Sequence, residues 1–217
     1  IYVLDKNKVI RAKRIEAANV KTIINALETG APLTLRALLN RGLDLKRMSQ
    51  HFLRSKKWHD YGPRVYSYCA AVLAWLKDNA HEWELPDPLV DLVQLESEVV
   101  ALYLSINQGK QDRPSNGAYS CTGMARVYVS KYRLSNWLRT KKLVGVLELD
   151  LSEEYLLVAL PNLTSRHRFL LVPQRCAQLY YSPPKPGDHI SESDLTHLNR
   201  LVSANALRMV EGEVEVR

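Results

Sequence analysis

The spacing of apolar residues changes character partway along the chain, and this change restricts the folds open to it. Before residue 107 apolar residues mostly recur at the three- and four-residue spacing of amphipathic helices, whereas after residue 119 short alternating, strand-like runs appear. The segment Asn107–Tyr119 between them is polar, with two glycines, a proline and an Asn-Gly turn signal. We therefore predict an α+β fold: a mainly helical domain over 1–106, a linker over 107–119 and a mixed α+β domain over 120–217.

The first domain is predicted to contain two short strands followed by five helices. The strands are Ile1–Leu4 and Lys8–Ile15, and the helices lie over 16–28, from Thr34 as N-cap to Gly42, from Asp44 as N-cap to Leu53, from Pro63 to Leu76 and over 88–106. The second and third helices resemble a helix-turn-helix or the corner of a small bundle. Helix 88–106 is apolar on more than one face, which predicts a central position or a contact with a second copy of the chain.

The second domain is predicted to combine short strands with two helices and a hairpin. Strand-like runs occupy 124–130, 143–151, 155–160 and 169–172. Ser191 is the predicted N-cap of a helix that runs through Val202, and a hairpin is predicted over 207–216. Between the first two runs, 131–142 is predicted as a helix with Ser130 as its N-cap and with Leu134, Trp137 and Leu138 buried. Its other face would carry Lys131, Ser135, Arg139 and Lys142, and a helix followed by two strands predicts a winged-helix-like unit.

The positive charge of the chain is concentrated in two segments. The net charge is +7: residues 1–84 and 113–147 each carry +7 by themselves, 85–112 and 148–154 each carry −4, and 155–217 carry +1. Within the two positive segments, basic residues lie beside aromatic and small polar ones, as expected for a surface that neutralises phosphates and stacks on bases. The candidate nucleic-acid-binding residues are Lys46, Arg47, Arg54, Lys56, Lys57, Arg64, Lys131, Arg133, Arg139, Lys141 and Lys142.

Sequence signatures of catalysis are missing. The chain contains no Gly-rich nucleotide-binding motif, no H-E-x-x-H and no G-x-S-x-G, and its six histidines never occur as H-x-H or H-x-x-H. Pro86-Asp87 resembles the start of an acidic nuclease motif, but no downstream acidic residue followed two positions later by lysine completes it. We therefore favour a non-enzymatic role and predict no catalytic residue, cofactor or metal.

Cysteine usage and apolar run lengths indicate the environment of the chain. Cys69, Cys121 and Cys176 are odd in number and far apart, which predicts free thiols in the cytoplasm or another reducing compartment. The longest charge-free apolar stretch, Val65–Leu76, is too short for a membrane span and predicts a buried helix.

Three functions remain open from the sequence alone. The first is nucleic-acid binding, with DNA favoured over RNA because the basic positions fall on predicted helices, in replication, recombination or transcription control. The second is an assembly protein of the viral or phage scaffold or matrix type, which would oligomerise through helix 88–106 and bind an acidic partner. The third is a nuclease-like enzyme whose site is assembled from distant residues.

Overall fold

The computed structural model describes residues 20–55, 65–109, 118–139 and 150–210. These residues form two compact units that divide after Val100, here called unit 1 (up to residue 100) and unit 2 (from residue 101). The predicted strands over 1–15 and most of the predicted linker lie outside the described residues. Within the described ranges, no helix is long and apolar enough to cross a membrane.

Helices make up the described part of unit 1. They are α1 (20–30), α2 (Pro32–Asn40), α3 (Leu45–Ser55), α4 (Val65–Asp78) and α5 (Asp87–Asn107), the last of which extends beyond the division between the units. The five helices predicted from apolar spacing are thus confirmed over their described residues. The predicted helix-turn-helix-like pair corresponds to α2 and α3, which are joined by the short segment 41–44.

The core of unit 1 includes the apolar stretch that forms α4. Cys69, Val72, Leu73 and Leu76 are fully buried on this helix. The end of α1 approaches it closely: a Cβ atom at Gly30 would lie 2.7 Å from the Cys69 sulfur, so a larger residue there forces the helices to shift. Burial of each large apolar side chain stabilises the fold by roughly 1.5–3 kcal/mol. The hydrophobic effect therefore holds α4 in the core of unit 1.

A buried carboxylate accepts hydrogen bonds from the first turn of α2. The backbone N–H groups of Leu33 and Thr34 donate to the two carboxylate oxygens of Glu96, at 3.0 and 2.6 Å. The prediction that Thr34 is the N-cap is therefore wrong: Ala31 is the N-cap and makes no side-chain cap, because an acceptor from α5 binds the free N–H groups instead. Burial raises the pKa of Glu96 to about 7, although the hydrogen bonds from Thr34 and Leu33 lower it.

Unit 2 combines two small antiparallel sheets with short helices. Its elements are β1 (Tyr119–Cys121), β2 (Ala125–Tyr132), α6 (Leu134–Arg139), β3 (Leu151–Ala159), β4 (Arg168–Val172), α7 (Gln174–Tyr181), α8 (Glu192–Ser203) and β5 (Leu207–Met209). The order in one sheet is β2-β3-β4, and β1 pairs with β5 in the other. The first strand of the predicted hairpin over 207–216 is thus present as β5, but its described partner is β1, and residues 211–217 lie outside the described ranges.

One face of the three-stranded sheet packs on α7 and α8. Val127, Leu157 and Val172 of the strands share a buried cluster with side chains of both helices, among them Cys176, Leu179, Leu198 and Leu201. The predicted N-cap is confirmed, since the Ser191 hydroxyl accepts a hydrogen bond from the Asp194 N–H at 3.1 Å. The tyrosine hydroxyls of Tyr180 and Tyr181 donate to backbone carbonyls of β2, at 2.6 and 3.1 Å, and thereby cover that strand edge.

The predicted helix over 131–142 is wrong at its start. Lys131 and Tyr132 belong to β2, and α6 begins at Leu134. Ser130, predicted as the N-cap, is buried in β2, where its hydroxyl donates to the Tyr132 carbonyl at 2.7 Å and accepts from the Tyr132 N–H at 3.1 Å. Pairing with β3 continues through Tyr132, across a register shift, and this ladder outweighs the local helical pattern. Residues 140–142 lie outside the described ranges.

The polar face predicted for this helix also differs in the structure. Ser135 is buried and not exposed: its N–H and hydroxyl both donate to the Glu154 carboxylate, at 2.9 and 2.7 Å. The strand after α6, β3, pairs with β2 before it as well as with β4. The winged-helix-like unit is therefore not confirmed, whereas the α+β class is shown by the eight helices and two small antiparallel sheets of the described residues.

Candidate nucleic-acid interface

Helix α3 carries a cluster of exposed cations, here called the α3 cationic face. Met48, Ser49 and Phe52 are buried on one side of the helix, and this spacing turns the other side to solvent. The side chains exposed there include Lys46, Arg47 and Arg54. Asp44 fixes the start of the helix, because its carboxylate accepts a hydrogen bond from the Arg47 N–H at 3.0 Å, as predicted for an N-cap.

Lys46 and Arg54 carry charges that nothing in the described structure neutralises. No carboxylate of the described residues forms an ion pair with either side chain. Arg47 is placed differently, with its guanidinium carbon 5.8 Å from the centre of the Trp83 ring, within the range of a cation–π contact. The α3 cationic face therefore presents two cations that no described carboxylate opposes and a third that rests on an aromatic ring.

The second candidate segment is divided among a strand, a turn and a helix. Lys131 is exposed near the end of β2, Arg133 is exposed between β2 and α6, and Arg139 is exposed in the last turn of α6. The Arg133 N–H donates to the Asp150 carbonyl at 3.1 Å, which holds the start of β3 beside this segment. Because Glu154 binds Ser135 at the beginning of α6, a carboxylate lies among the cations of this segment.

The other candidate nucleic-acid-binding residues lie outside the described ranges. Lys56, Lys57 and Arg64 lie in 56–64, and Lys141 and Lys142 lie in 140–149. The structure therefore brings together one group of three cations on α3, in unit 1, and a looser group of three around β2 and α6, in unit 2.

A cleft of about 280 Å³ adjoins the α3 cationic face. It lies between the N-terminal part of α3 and the turn over 79–86 and is lined by Gly42, Leu43, Asp44, Arg47, His51, Glu82, Trp83 and Glu84. The His51 Nε2 atom lies 3.1 Å from a Glu82 carboxylate oxygen, and Arg41 donates to the Glu84 carbonyl at 2.6 Å. Glu84 has a φ of 47°, in the left-handed region that residues other than glycine rarely adopt.

The sequence prediction did not include this cleft, because its two walls are about 40 residues apart. The one local signal was Trp83 flanked by Glu82 and Glu84, a large aromatic residue in a charged turn. Glu96 was also missed, because Glu96 and Glu98 both lie between Leu95 and Val99 of an apolar helix, and the sequence does not show which of the two carboxylates is buried.

Other site types find little support in the described part of the chain. There, no group of three or more His, Cys, Asp or Glu side chains is arranged to hold a metal ion. Cys69, Cys121 and Cys176 form no disulfide with one another, and burial raises the pKa of Cys69 and Cys176. These two thiols are therefore poor nucleophiles.

The chain matches no protein-family model and no curated protein. Its function must therefore be inferred from the side chains themselves.

Proposed function

We propose that the protein binds nucleic acid without catalysing a reaction, and that the α3 cationic face contacts the phosphates. The observation that carries this proposal is the exposure of Lys46 and Arg54 on one helix with no described carboxylate paired to them. A cation that forms no ion pair with the described carboxylates breaks none of those pairs when it binds a phosphate, and it releases a counterion from the polyanion. DNA remains favoured over RNA, as predicted from the helical position of these residues.

The cations around β2 and α6 are proposed as a second, weaker contact. Lys131, Arg133 and Arg139 are exposed, but the Glu154 carboxylate and the backbone of Asp150 lie in the same segment. Repulsion between that carboxylate and a phosphate offsets part of the attraction. We expect this segment to add affinity and not to bind strongly alone.

The assembly function loses its main support. It rests on the apolar surface of α5, yet Leu92, Val93, Leu95, Val99, Val100 and Leu102 are each at most 1% exposed within a single chain. Side chains buried in this way cannot form a contact with a second copy. We therefore do not propose oligomerisation through this helix.

Charge neutralisation on α3 tests the proposal. The double variant Lys46→Gln/Arg54→Gln should weaken binding to a fluorescent oligonucleotide about tenfold at 50 mM salt, because two phosphate contacts are lost. Its matched control is Lys21→Gln/Arg36→Gln, which removes the same charge from exposed positions on α1 and α2. Equal affinities of the two variants would contradict a role for the α3 cationic face, since they would show that only the net charge matters.

A further inference from the structure

The cleft beside α3 has an aromatic wall made of rings that pack on one another. The ring centres of His51 and Trp75 are 5.8 Å apart, those of His51 and Trp83 are 5.8 Å apart, and those of Trp75 and Trp83 are 6.1 Å apart. Trp75 is buried behind the cleft, whereas His51 and Trp83 line it. Because three rings support one another, Trp83 is held in a fixed orientation at the cleft surface.

This wall also has unused hydrogen-bonding capacity. The ring nitrogens Trp75 Nε1, Trp83 Nε1 and His51 Nδ1 are buried, and no described residue forms a hydrogen bond with them. In the neutral imidazole, donation from His51 Nε2 to Glu82 leaves Nδ1 as an acceptor, while each indole N–H is a donor. Buried polar groups without a protein partner are rare in folded proteins, and they occur where a ligand or an ordered water binds.

Carboxylates outnumber cations in the described lining of the cleft, where Arg47 is the one Lys or Arg side chain. Asp44, Glu82 and Glu84 line it, so a phosphate inside would meet three carboxylates. Lys46 and Arg54 lie on α3 outside the lining. This arrangement suits a ligand whose anionic part stays on the helix and whose inserted part is planar, uncharged and able both to donate and to accept hydrogen bonds.

Arg47 and Trp83 provide the two faces between which such a planar group can stack. The guanidinium carbon is now 5.8 Å from the Trp83 ring centre. A stacked aromatic group needs about 3.5 Å on each side, or about 7 Å in all, so the exposed Arg47 side chain has to move outward by about 1 Å. Stacking between an aromatic ring and a guanidinium plane is a common way to hold an unpaired base.

We propose that this cleft binds one unpaired base with an exocyclic amino group (adenine, cytosine or guanine) of a single-stranded nucleic acid, stacked between Trp83 and Arg47. The rim carboxylates accept hydrogen bonds from the exocyclic amino group, which thymine and uracil lack. Lys46 and Arg54 bind the neighbouring phosphates, so the proposal rests on the function proposed above. It adds that unpaired strands bind more tightly than duplexes, in which the bases are not free to enter the cleft.

Base preference of the unmodified protein is the primary test. Fluorescence anisotropy with (dA)12, (dC)12, (dT)12 and a 12-base-pair duplex, in 50 mM salt, should show (dA)12 and (dC)12 binding roughly tenfold more tightly than (dT)12 or the duplex. This comparison needs no variant, so it does not depend on the folding of an altered chain.

Variants of the stacking residue connect the preference to the cleft. Trp83→Leu should weaken binding to (dC)12 roughly 5- to 100-fold, whereas Trp83→Phe, which keeps an aromatic face, should retain most of the affinity. Circular dichroism identifies any variant that fails to fold. Quenching of tryptophan fluorescence by (dC)12, present in the unmodified protein and reduced in Trp83→Phe, is a second readout of stacking.

The outcomes separate this proposal from the one on which it rests. Equal, salt-dependent affinity for all three oligonucleotides and the duplex would overturn base insertion but would leave phosphate binding by α3 intact. Tighter binding of (dT)12, or a Trp83→Leu protein that folds and binds normally, would likewise overturn it. If no nucleic acid binds at 50 mM salt, both proposals fail.

Discussion

The cationic regions of unit 1 and unit 2 are similar in charge but differ in their surroundings. In unit 1 the three described candidate cations lie on one helix, α3, and two of them have no described carboxylate partner. In unit 2 the three cations are spread over a strand, a turn and a short helix, with Glu154 bound to the start of that helix. Equal net charges in the two sequence segments therefore give a concentrated cationic face in one unit and a diffuse one in the other.

Each unit also uses a carboxylate from a distant residue to bind the first turn of a helix. Glu96 is fully buried and accepts two N–H groups of α2, whereas Glu154 is half-buried and accepts a backbone N–H and the hydroxyl of Ser135. An unsatisfied N–H group costs more when it is buried. The two carboxylates should therefore differ in their contribution to stability, and this difference can be measured.

The largest effect is expected for Glu96→Ala. One buried and one partly buried N–H group of α2 lose their acceptor and a cavity opens, so the free energy of unfolding should fall by about 3–5 kcal/mol. Urea denaturation at pH 6 measures the change. A loss below about 1 kcal/mol would show that α2 does not depend on this carboxylate.

The buried position of Glu96 also predicts a dependence of stability on pH. Its pKa is about 7 in the folded protein and near 4.5 when unfolded, so the folded state binds the proton more tightly. Its contribution is fully present below pH 4.5 and is lost as the pH rises toward 7. Between pH 5 and 7 the free energy of unfolding should fall by about 2 kcal/mol from this group.

Glu96→Gln is the control for that pH dependence. The amide does not titrate, so urea denaturation of the variant should show a lower stability and a flatter profile between pH 5 and 7. The histidines are unchanged in both proteins and cancel in the comparison. Profiles with the same slope would assign the pH dependence to other groups.

How far the sequence predicts this structure depends on the distance between the interacting residues. The helices of unit 1 and the N-cap residues Asp44 and Ser191 are local patterns, and the structure confirms them. The predicted N-cap at Thr34 is wrong because the Glu96 carboxylate accepts the N–H groups at the start of α2, and a residue 62 positions away is not part of a local pattern. Lys131 and Tyr132 were placed in a helix because the spacing of Leu134, Trp137 and Leu138 is helical, while the competing partner is a strand that begins at Leu151.

Neutralising the cations of unit 1 should reduce oligonucleotide affinity more than neutralising those of unit 2. Neutralising Lys46 and Arg54 should weaken oligonucleotide binding about tenfold, whereas Lys131→Gln/Arg139→Gln should weaken it about threefold, because Glu154 already offsets part of the second segment. Anisotropy titrations at 50 mM salt give both values. A larger loss from the unit 2 variant would reverse the ranking of the regions.

A smaller loss of stability than that of Glu96→Ala is expected for the carboxylate of unit 2. Glu154→Ala removes the acceptor for the Ser135 N–H and hydroxyl and should cost about 1–2 kcal/mol of stability. Urea denaturation beside Glu96→Ala, under identical conditions, compares the two sites. A loss as large as that of Glu96→Ala would show that the start of α6 is as important to the fold as that of α2.

The salt dependence of affinity tests the central claim most directly. If the α3 cationic face binds phosphates, the logarithm of the association constant for a single-stranded oligonucleotide should fall linearly with the logarithm of salt concentration, with a slope of about −2 or steeper. In Lys46→Gln/Arg54→Gln the slope should become shallower by about 1 or more. An affinity that does not change with salt, or a slope that is the same in the variant, would contradict nucleic-acid binding by this face.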